Sequence, residues 1–386
     1  MDTTLPAPLN GLPRPNQAVA ALKTRFKRRL LRTWLIALFP LLQPLPASAD
    51  ILVGIASPKD GHGTEIRRAA KVAAERINAE GGVHGKRIKL VEADDGCNGE
   101  QGSLAAHSLI ERDVVVVIGH PCASAASAGV KVYASNNVVL LSMTRHPVIT
   151  EKRAGQTIFR VPGRNDRQGA SAAAYLSRNF SGRPIAVVRD ASRFARRIAN
   201  DAHAALKEAG FTDVLSAAIR GGQKDYSKLI AQLQAANTEA LFFAGFPLEA
   251  GLLLRQMRAA GLSTAFIGSD TLAPAQFADT AGSAATGARI LLSHDPARGP
   301  AGTALKVKRD EMPPTGSFLT TLAAIEAWRA AVRKAGSIAP DAVSAALQEG
   351  KFETVLGHIS FTENGDSNVP AYDVVTWNMN AWRNID

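Results

Sequence analysis

The chain has 386 residues, of which 46% are hydrophobic and 20% are charged, and its formal net charge is +11. Seven of the 45 Lys and Arg residues but only one of the 34 acidic residues lie in residues 1–49, so 38 basic and 33 acidic residues remain beyond them. Without a clustered basic motif this excess does not predict nucleic-acid binding, and the remaining length suits two lobes better than one typical domain.

The first 49 residues have the pattern of a secretory signal peptide. Residues 23–32 are basic, residues 33–45 are apolar, and the small residues Ala47 and Ala49 precede Asp50. A membrane anchor that stays attached is the alternative, but a span needs about 20 apolar residues, and this run is shorter and contains prolines. We expect removal of the signal, export to the periplasm and a mature chain that begins at Asp50.

From Asp50 onward, short β-branched runs alternate with longer segments of helical periodicity. The predicted strands of the first half are 51–57, 87–93, 114–119 and 138–142, and the predicted helices between them are 64–80, 101–111 and 124–135. This alternation predicts a parallel sheet with helices on both faces.

A second alternation of the same kind follows. Its predicted strands are 158–162, 185–189, 214–219, 240–244, 265–269 and 288–293, and its predicted helices are 164–179, 193–209, 226–236 and 248–260. A loop is predicted over 299–314, followed by helices 317–334 and 340–349 and by β-like runs at 358–361 and 372–377. The pattern predicts a second α/β lobe.

The chain contains two cysteines, Cys97 and Cys122. An even number of cysteines in an exported protein favours a disulfide, and two free buried thiols are the alternative. Their spacing does not fit a zinc site, and no histidine pair completes one.

The motifs of common enzyme classes are missing from the chain. We find no GxSxG nucleophile elbow and no GxxxxGK[ST] phosphate loop. Gly61 and Gly63 begin a dinucleotide fingerprint, but Ile66 stands where the third glycine should be. His120 and Cys122 suggest a nucleophile pair only if Cys122 is not in a disulfide. We therefore expect no enzymatic activity and no cofactor.

Six segments in order along the chain carry a family resemblance. They are 77–85 (INAEGGVHG), 91–97 (VEADDGC), 117–124 (VIGHPCAS), 224–230 (KDYSKLI), 254–262 (LRQMRAAGL) and 361–366 (FTENGD). Together they resemble the periplasmic leucine/isoleucine/valine-binding proteins of ABC importers, across essentially the whole chain after the signal.

The resemblance implies a type I periplasmic binding protein fold, an α/β architecture of two doubly wound lobes joined by a three-strand hinge. The crossovers are expected near 160–164, 294–298 and 355–358. Lobe one would comprise 50–162 plus 296–355, and lobe two 163–295 plus 356–386. The family also has a disulfide where Cys97 and Cys122 stand.

In the family, a serine just after the second cysteine helps bind the ligand carboxylate, and Ala123 occupies that position here, followed by Ser124. This turn leaves a strand and enters a helix, where free N–H groups and the helix dipole favour a carboxylate. We expect backbone N–H groups at Ala123 and the Ser124 hydroxyl to contact the ligand. The alternative is that Ser124 only caps the helix.

The loop 142–147 (SMTRHP) corresponds to a longer Gly/Ala/Thr loop in the family, and we expect it to face the same cleft. Thr144 would supply a hydroxyl contact, and Arg145 would pair with the ligand carboxylate in a bidentate manner. A solvated surface position for Arg145 is the alternative. This departure from the family argues against plain leucine specificity.

From lobe two, Asp270 aligns with an acidic residue that binds the ligand ammonium in the family, and a capping role in the turn is the alternative. Phe194 and Phe246 replace family tyrosines, which would make the cleft wall more apolar unless they only pack in the core. His62 occupies a position at the cleft rim that is often aromatic.

These observations predict a monomeric solute-binding protein that delivers a small amino acid, branched-chain or otherwise apolar, to the membrane subunits of an ABC permease. One alternative is the same fold with an aromatic carboxylate, an amide or urea as the ligand. Another alternative is a ligand-sensing module of a signalling system.

Overall fold

A computed structural model of the protein describes residues 49–151, 155–302, 315–378 and 380–385. The predicted signal peptide, apart from Ala49, and most of the predicted loop 299–314 lie outside the described residues. Within those ranges, no helix has the length and apolar character needed to cross a bilayer.

Fourteen strands occur in the described ranges. They are β1 (Ile51–Ala56), β2 (Ile88–Ala93), β3 (Val116–Gly119), β4 (Val139–Ser142), β5 (Ile158–Arg160), β6 (Ile185–Arg189), β7 (Val214–Ala218), β8 (Ala240–Ala244), β9 (Ala265–Gly268), β10 (Arg289–Ser293), β11 (Lys351–Thr354), β12 (Gly357–Ser360), β13 (Tyr372–Asn378) and β14 (Ala381–Asn384).

Ten α-helices accompany them in the same ranges. They are α1 (His62–Ala79), α2 (Gly99–Ile110), α3 (Ala123–Ser135), α4 (Gln168–Asn179), α5 (Arg193–Glu208), α6 (Ser227–Ala235), α7 (Pro247–Ala259), α8 (Ala275–Ala281), α9 (Gly316–Ala335) and α10 (Pro340–Glu349).

The first lobe is built on a parallel five-stranded sheet of order β2-β1-β3-β4-β5. Every residue of β3 and β4 is buried, as their continuous apolar sequences predict for strands covered on both faces. On one face, the apolar stripe of α1, which includes Ile66 and Ile77, packs with α9 and its buried Trp328. The other face is covered by α2 and α3, where Leu109 and Val130 are buried.

The second lobe is built on a seven-stranded sheet of order β14-β13-β10-β9-β8-β6-β7. Strands β6 to β10 run parallel, whereas β13 is antiparallel to both β10 and β14. Two separate apolar clusters cover its faces, one with α6, α7 and α8 and the other with α4 and α5. The predicted fold class, two doubly wound α/β lobes, is confirmed.

The chain crosses between the two sheets three times, after β5, after β10 and before β13. The predicted third crossover at 355–358 is wrong. Strand β12 pairs with β11, and Ile359 and Phe361 are buried in the core of the first lobe. The last crossing lies instead between Ser367 and Tyr372. Ser367 forms a β-bridge with Phe361 of the first lobe, and Tyr372 begins β13.

The predicted helix 164–179 begins four residues later, at Gln168. Arg164 forms a two-pronged ion pair with Asp166, with nitrogen–oxygen distances of 2.9 and 2.6 Å. Side chains two residues apart do not face each other on an α-helix, so this contact requires a non-helical turn.

Cys97 and Cys122 form a disulfide with a Cα–Cα distance of 5.2 Å, as predicted. It joins the loop that follows β2 to the turn that follows β3. The disulfide also removes the Cys122 thiol as a candidate nucleophile.

Candidate functional site

Two adjoining cavities lie where the two sheets meet at their crossings. The cleft cavity, of about 400 Å³, lies between the loop after β4 in the first lobe and residues of α4, α5, β10, β13 and the turn after β9 in the second lobe. The hinge-side cavity, of about 510 Å³, lies between the first lobe and the first two crossings. Arg145 lines both cavities. Ligands of open parallel sheets bind at such carboxyl ends of strands.

Arg145 follows β4 and is held by backbone at two of the three crossings. Its Nε donates to the carbonyl oxygen of Gly163 at 3.1 Å, and its Nη2 donates to the carbonyl oxygen of Ala371. Its guanidinium carbon lies 5.6 Å from the centre of the Tyr372 ring. The crossings are in close contact here, because a Cβ on Gly163 would lie 2.5 Å from the Ala371 Cα.

The charge of Arg145 has no counter-ion in the described part of the chain. No carboxylate of a described residue lies within 4.0 Å of its guanidinium, although the side chain is half-buried. Burial lowers the pKa of Arg145, and the nearby Tyr372 and Asp270 partly offset that effect. A partly buried cation bonded only to carbonyl oxygens retains a desolvation cost that a bound anion would relieve.

The loop that carries Arg145 is organised by Arg160, whose side chain is fully buried at the end of β5. Its guanidinium donates to the carbonyl oxygens of Thr144, His146 and Pro147 and to the Thr150 hydroxyl. Its Nε donates to the Asp366 carboxylate at 2.8 Å. Asp366, from the segment before the third crossing, thus fixes this loop through Arg160.

Asp270 follows β9 and is half-buried in the wall of the cleft cavity. Among the described residues, no hydrogen bond or ion pair reaches its carboxylate. Its charge acts on the same cavity, because burial together with Asp270 raises the pKa of Tyr372 to about 12, against the lowering effects of Arg145 and Arg197. Asp270 and Arg145 therefore line one cavity, and among the described residues neither has a counter-ion.

The structure does not bring Ala123 and Ser124 into this site. Ala123 begins α3 and is half-buried, and neither residue lines either cavity. The Ser124 hydroxyl donates to the carbonyl oxygen of Cys97 at 3.2 Å, and Cys122 rather than Ser124 holds the N-cap position, without a side-chain cap. From this turn only Pro121 lines the hinge-side cavity.

The other predicted residues divide between the cavity and its surroundings. Phe194 lines the cleft cavity and is 36% exposed, whereas Phe246 is 48% exposed and lines neither cavity. Thr144 is buried, and its hydroxyl accepts a hydrogen bond from the His146 N–H at 3.3 Å. His62 begins α1, and the preceding residue lines the hinge-side cavity.

A buried polar network lies beneath the disulfide and was not predicted from the sequence. His120 has a positive φ of 51° and no exposed surface. Its Nδ1 lies 3.0 Å from Asp95 Oδ2, and its Nε2 lies 2.9 Å from the Tyr133 hydroxyl. Asp95 Oδ1 also accepts a hydrogen bond from the Cys97 N–H at 3.0 Å. The network holds the β2 and β3 loops together and stabilises the strained turn that presents Pro121.

We predict that Tyr133→Phe lowers the free energy of unfolding by about 1–3 kcal/mol, because it leaves the buried His120 Nε2 without its hydrogen-bond partner. Urea unfolding measures the change. Tyr175→Phe is the matched control, since no hydrogen bond to the Tyr175 hydroxyl occurs in the described ranges, and its effect should stay within about 0.5 kcal/mol. Equal effects of the two substitutions would contradict the assigned role.

The hinge-side cavity has a more apolar wall than the cleft cavity. Ile66, Met143, Pro162 and Pro296 line it. Two acidic residues line it, Glu65 and Asp295, and both are already engaged, since Asp295 Oδ1 accepts a hydrogen bond from the Ala297 N–H at 3.0 Å. The Arg68 hydrogen bond lowers the pKa of Glu65 despite burial, and the Thr315 hydroxyl donates to Glu65 at 3.1 Å. His294, also in the wall, lies 2.6 Å from Asp373 Oδ1.

These features define a two-lobe α/β protein with two cavities at the carboxyl ends of its parallel strands. Residues 51–381 match the family model described as periplasmic binding protein, so the chain belongs to that family. A Leu/Ile/Val-binding protein homolog of Brucella abortus is 34% identical over 343 residues, which cover 87% of this chain and 92% of the relative. The resemblance predicted from the sequence is therefore confirmed.

Two further comparisons agree with this assignment. An amino acid binding protein of Pseudomonas aeruginosa is 33% identical over 341 residues, covering 86% of this chain and 91% of that protein. An ABC transporter substrate-binding protein from Desulfitobacterium hafniense, solved in complex with Leu, has a TM-score of 0.61 at 22% identity. That match covers 87% of this chain and all of the solved chain, and it shows the fold.

Proposed function

We propose that this chain is the substrate-binding protein of an ABC importer and that it binds an amino acid in the cleft cavity. The observation that carries the proposal is the pair of unpartnered opposite charges on one cavity, Arg145 from the first lobe and Asp270 from the second. An α-amino acid presents a carboxylate and an ammonium on one carbon. Its carboxylate would bind Arg145, and its ammonium would bind Asp270.

The names of the relatives support the same ligand class. The Brucella abortus homolog is named for leucine, isoleucine and valine, and the Pseudomonas aeruginosa relative for amino acids in general. An aromatic carboxylate, the alternative predicted from the sequence, would leave the Asp270 carboxylate facing a ligand without a cation. An uncompensated carboxylate in a closed cavity is costly, which disfavours that ligand.

The cellular setting is part of the proposal. The basic and apolar segments of residues 1–49 support an exported protein whose mature form begins at Asp50 in the periplasm. Ligand binding between two lobes that are joined by hinge crossings would favour their closure. The closed monomer would then present both lobes to the membrane permease, without a cofactor and without catalysis.

A thermal-shift measurement tests the proposal. The mature chain, purified from the periplasmic fraction and refolded to remove bound ligand, is melted with each of the 20 amino acids. Every amino acid that raises the melting temperature is compared with its deaminated and decarboxylated analogues. A ligand present at 1,000 times its Kd raises the free energy of unfolding by about 4 kcal/mol. We expect only the intact amino acid to raise the melting temperature. A rise confined to acids without an amino group would overturn the proposal.

A further inference from the structure

The charges that line the cleft cavity do not cancel. Four charged side chains contribute to its wall, namely Arg145, Asp166, Arg197 and Asp270. Asp166 is already neutralised by the two-pronged contact with Arg164. Two cations and one anion remain, so the cavity has an excess of one positive charge. The α-carboxylate and ammonium of an amino acid would engage only Arg145 and Asp270.

Arg197 is the cation left over. It lies one helical turn after Phe194 on α5, and the start of this helix is fixed by Ser192, whose hydroxyl accepts a hydrogen bond from the Ala195 N–H at 3.1 Å. In the described ranges, no carboxylate lies within 4.0 Å of Arg197 and no hydrogen bond engages its guanidinium. Asp201 is one turn further along, but it does not line the cavity.

The charge of Arg197 reaches the interior of the cavity. Arg197 and Arg145 both lower the pKa of Tyr372, while burial and Asp270 raise it. All three unpartnered charges therefore lie within electrostatic range of one tyrosine ring. A ligand beside Tyr372 would therefore interact electrostatically with both arginines.

The rest of the wall suits polar groups better than a branched aliphatic chain. Asn165, Gln168, Ser293 and Tyr372 contribute polar side chains, whereas the apolar contribution comes chiefly from Pro147, Phe194 and Ile198. Moving an aliphatic side chain from water to an apolar surface lowers the free energy of the complex. A carboxylate placed beside an arginine gains charge-assisted hydrogen bonds instead.

We propose that the preferred ligand is an amino acid with a second acidic group, and that Arg197 determines this specificity by binding the side-chain carboxylate. The ligand would carry one net negative charge, which complements the cavity. This inference rests on the proposed function, namely that an amino acid binds between Arg145 and Asp270. A branched-chain ligand would instead place its side chain against Ile66 and Met143 in the hinge-side cavity and leave Arg197 unused.

Titration calorimetry on the refolded mature chain tests the inference with glutamate, aspartate, leucine and valine at one salt concentration. The variants are Arg197→Gln and Arg197→Lys. The control is Arg193→Gln, an exposed arginine on the same helix that does not line the cavity. Because Arg197 is exposed and makes no hydrogen bond within the described ranges, the variants should melt like the parent.

We expect an acidic amino acid to bind at least tenfold more tightly than leucine. Arg197→Gln should weaken that binding by about 30-fold and leave leucine unchanged. Arg197→Lys should retain part of the preference, and Arg193→Gln all of it. If leucine or valine binds more tightly than the acidic amino acids, and Arg197→Gln does not change that affinity, the proposed acidic specificity is wrong. The proposed function would still hold. Failure of the parent chain to bind any amino acid would overturn both.

Discussion

Asp270→Asn is expected to weaken the binding of every amino acid ligand by about 100-fold. The asparagine keeps the size of the side chain but removes the negative charge of Asp270, which, unlike Asp166, has no ion-pair partner among the described residues. Truncating one partner of a hydrogen-bonded charge pair costs about 2–5 kcal/mol, and about 3 kcal/mol corresponds to the expected change in Kd. The loss should be largely independent of the ligand side chain, because the ammonium is common to all amino acids.

Titration calorimetry and thermal melting separate this effect from a loss of folding. The Asp270 carboxylate makes no hydrogen bond to another described residue, so the unliganded variant should melt like the parent. Asp279→Asn, an exposed position on α8 outside both cavities, is the control and should change neither quantity. Unchanged affinity in Asp270→Asn would show that the ammonium binds elsewhere and that Asp270 only begins the short 3-10 turn over residues 270–272.

The parts of the fold that depend on local periodicity could be predicted from the sequence. Strands such as β3 and β8 are continuous apolar runs, and α1 shows its buried face in the spacing of Ile66 and Ile77. The third crossover could not be placed in this way. The turn between Thr354 and Gly357 belongs to a hairpin of the first lobe, and only the pairing of β11 with β12 and the burial of Phe361 reveal it.

Some residues of the cleft cavity could be predicted from the sequence. Asp270 and Phe194 line the cleft cavity because Asp270 lies in the turn after β9 and Phe194 in the first turn of α5, the helix after β6, and both placements are properties of the local sequence. The contacts of Arg145 are of another kind, since the Ala371 carbonyl it binds lies 226 residues along the chain. Ser124 was predicted to contact the ligand because it lies close after Cys122. Its hydroxyl instead donates a hydrogen bond to the carbonyl oxygen of Cys97, the disulfide partner of Cys122.

Two signals in the sequence would have found residues that were missed. Arg197 lies one helical turn after Phe194, so the two residues share one face of α5. Arg160 ends the apolar strand β5, and an arginine at the end of a fully buried strand requires several acceptors. The structure supplies them from the loop that carries Arg145, so this polar residue determines the shape of the site without lining it.

Asp366→Ala is expected to lower the free energy of unfolding by about 3–5 kcal/mol. The substitution leaves the guanidinium of Arg160 fully buried without its counter-ion, and removing one member of a buried ion pair has this cost. Thr150 and Arg164 also lose a partner, since both donate to the Asp366 carboxylate. Urea unfolding at pH 7 measures the change. Arg183→Gln, which breaks an exposed pair with Glu239, is the control and should cost less than about 1 kcal/mol.

The same contacts predict how stability depends on pH. Burial alone would raise the pKa of Asp366, but hydrogen bonds from Arg160 and Thr150 and the charges of the arginines hold it below its usual value. The folded state therefore binds a proton here less readily than the unfolded state does, so the stabilisation is complete above about pH 4 and disappears as the pH falls through the lowered pKa. Asp366→Asn should weaken this loss of stability at acidic pH, and an unchanged loss would contradict the ion pair.

Ligand affinity should fall together with stability in both Asp366 variants, because Arg160 fixes the loop that holds Arg145 at the cavity.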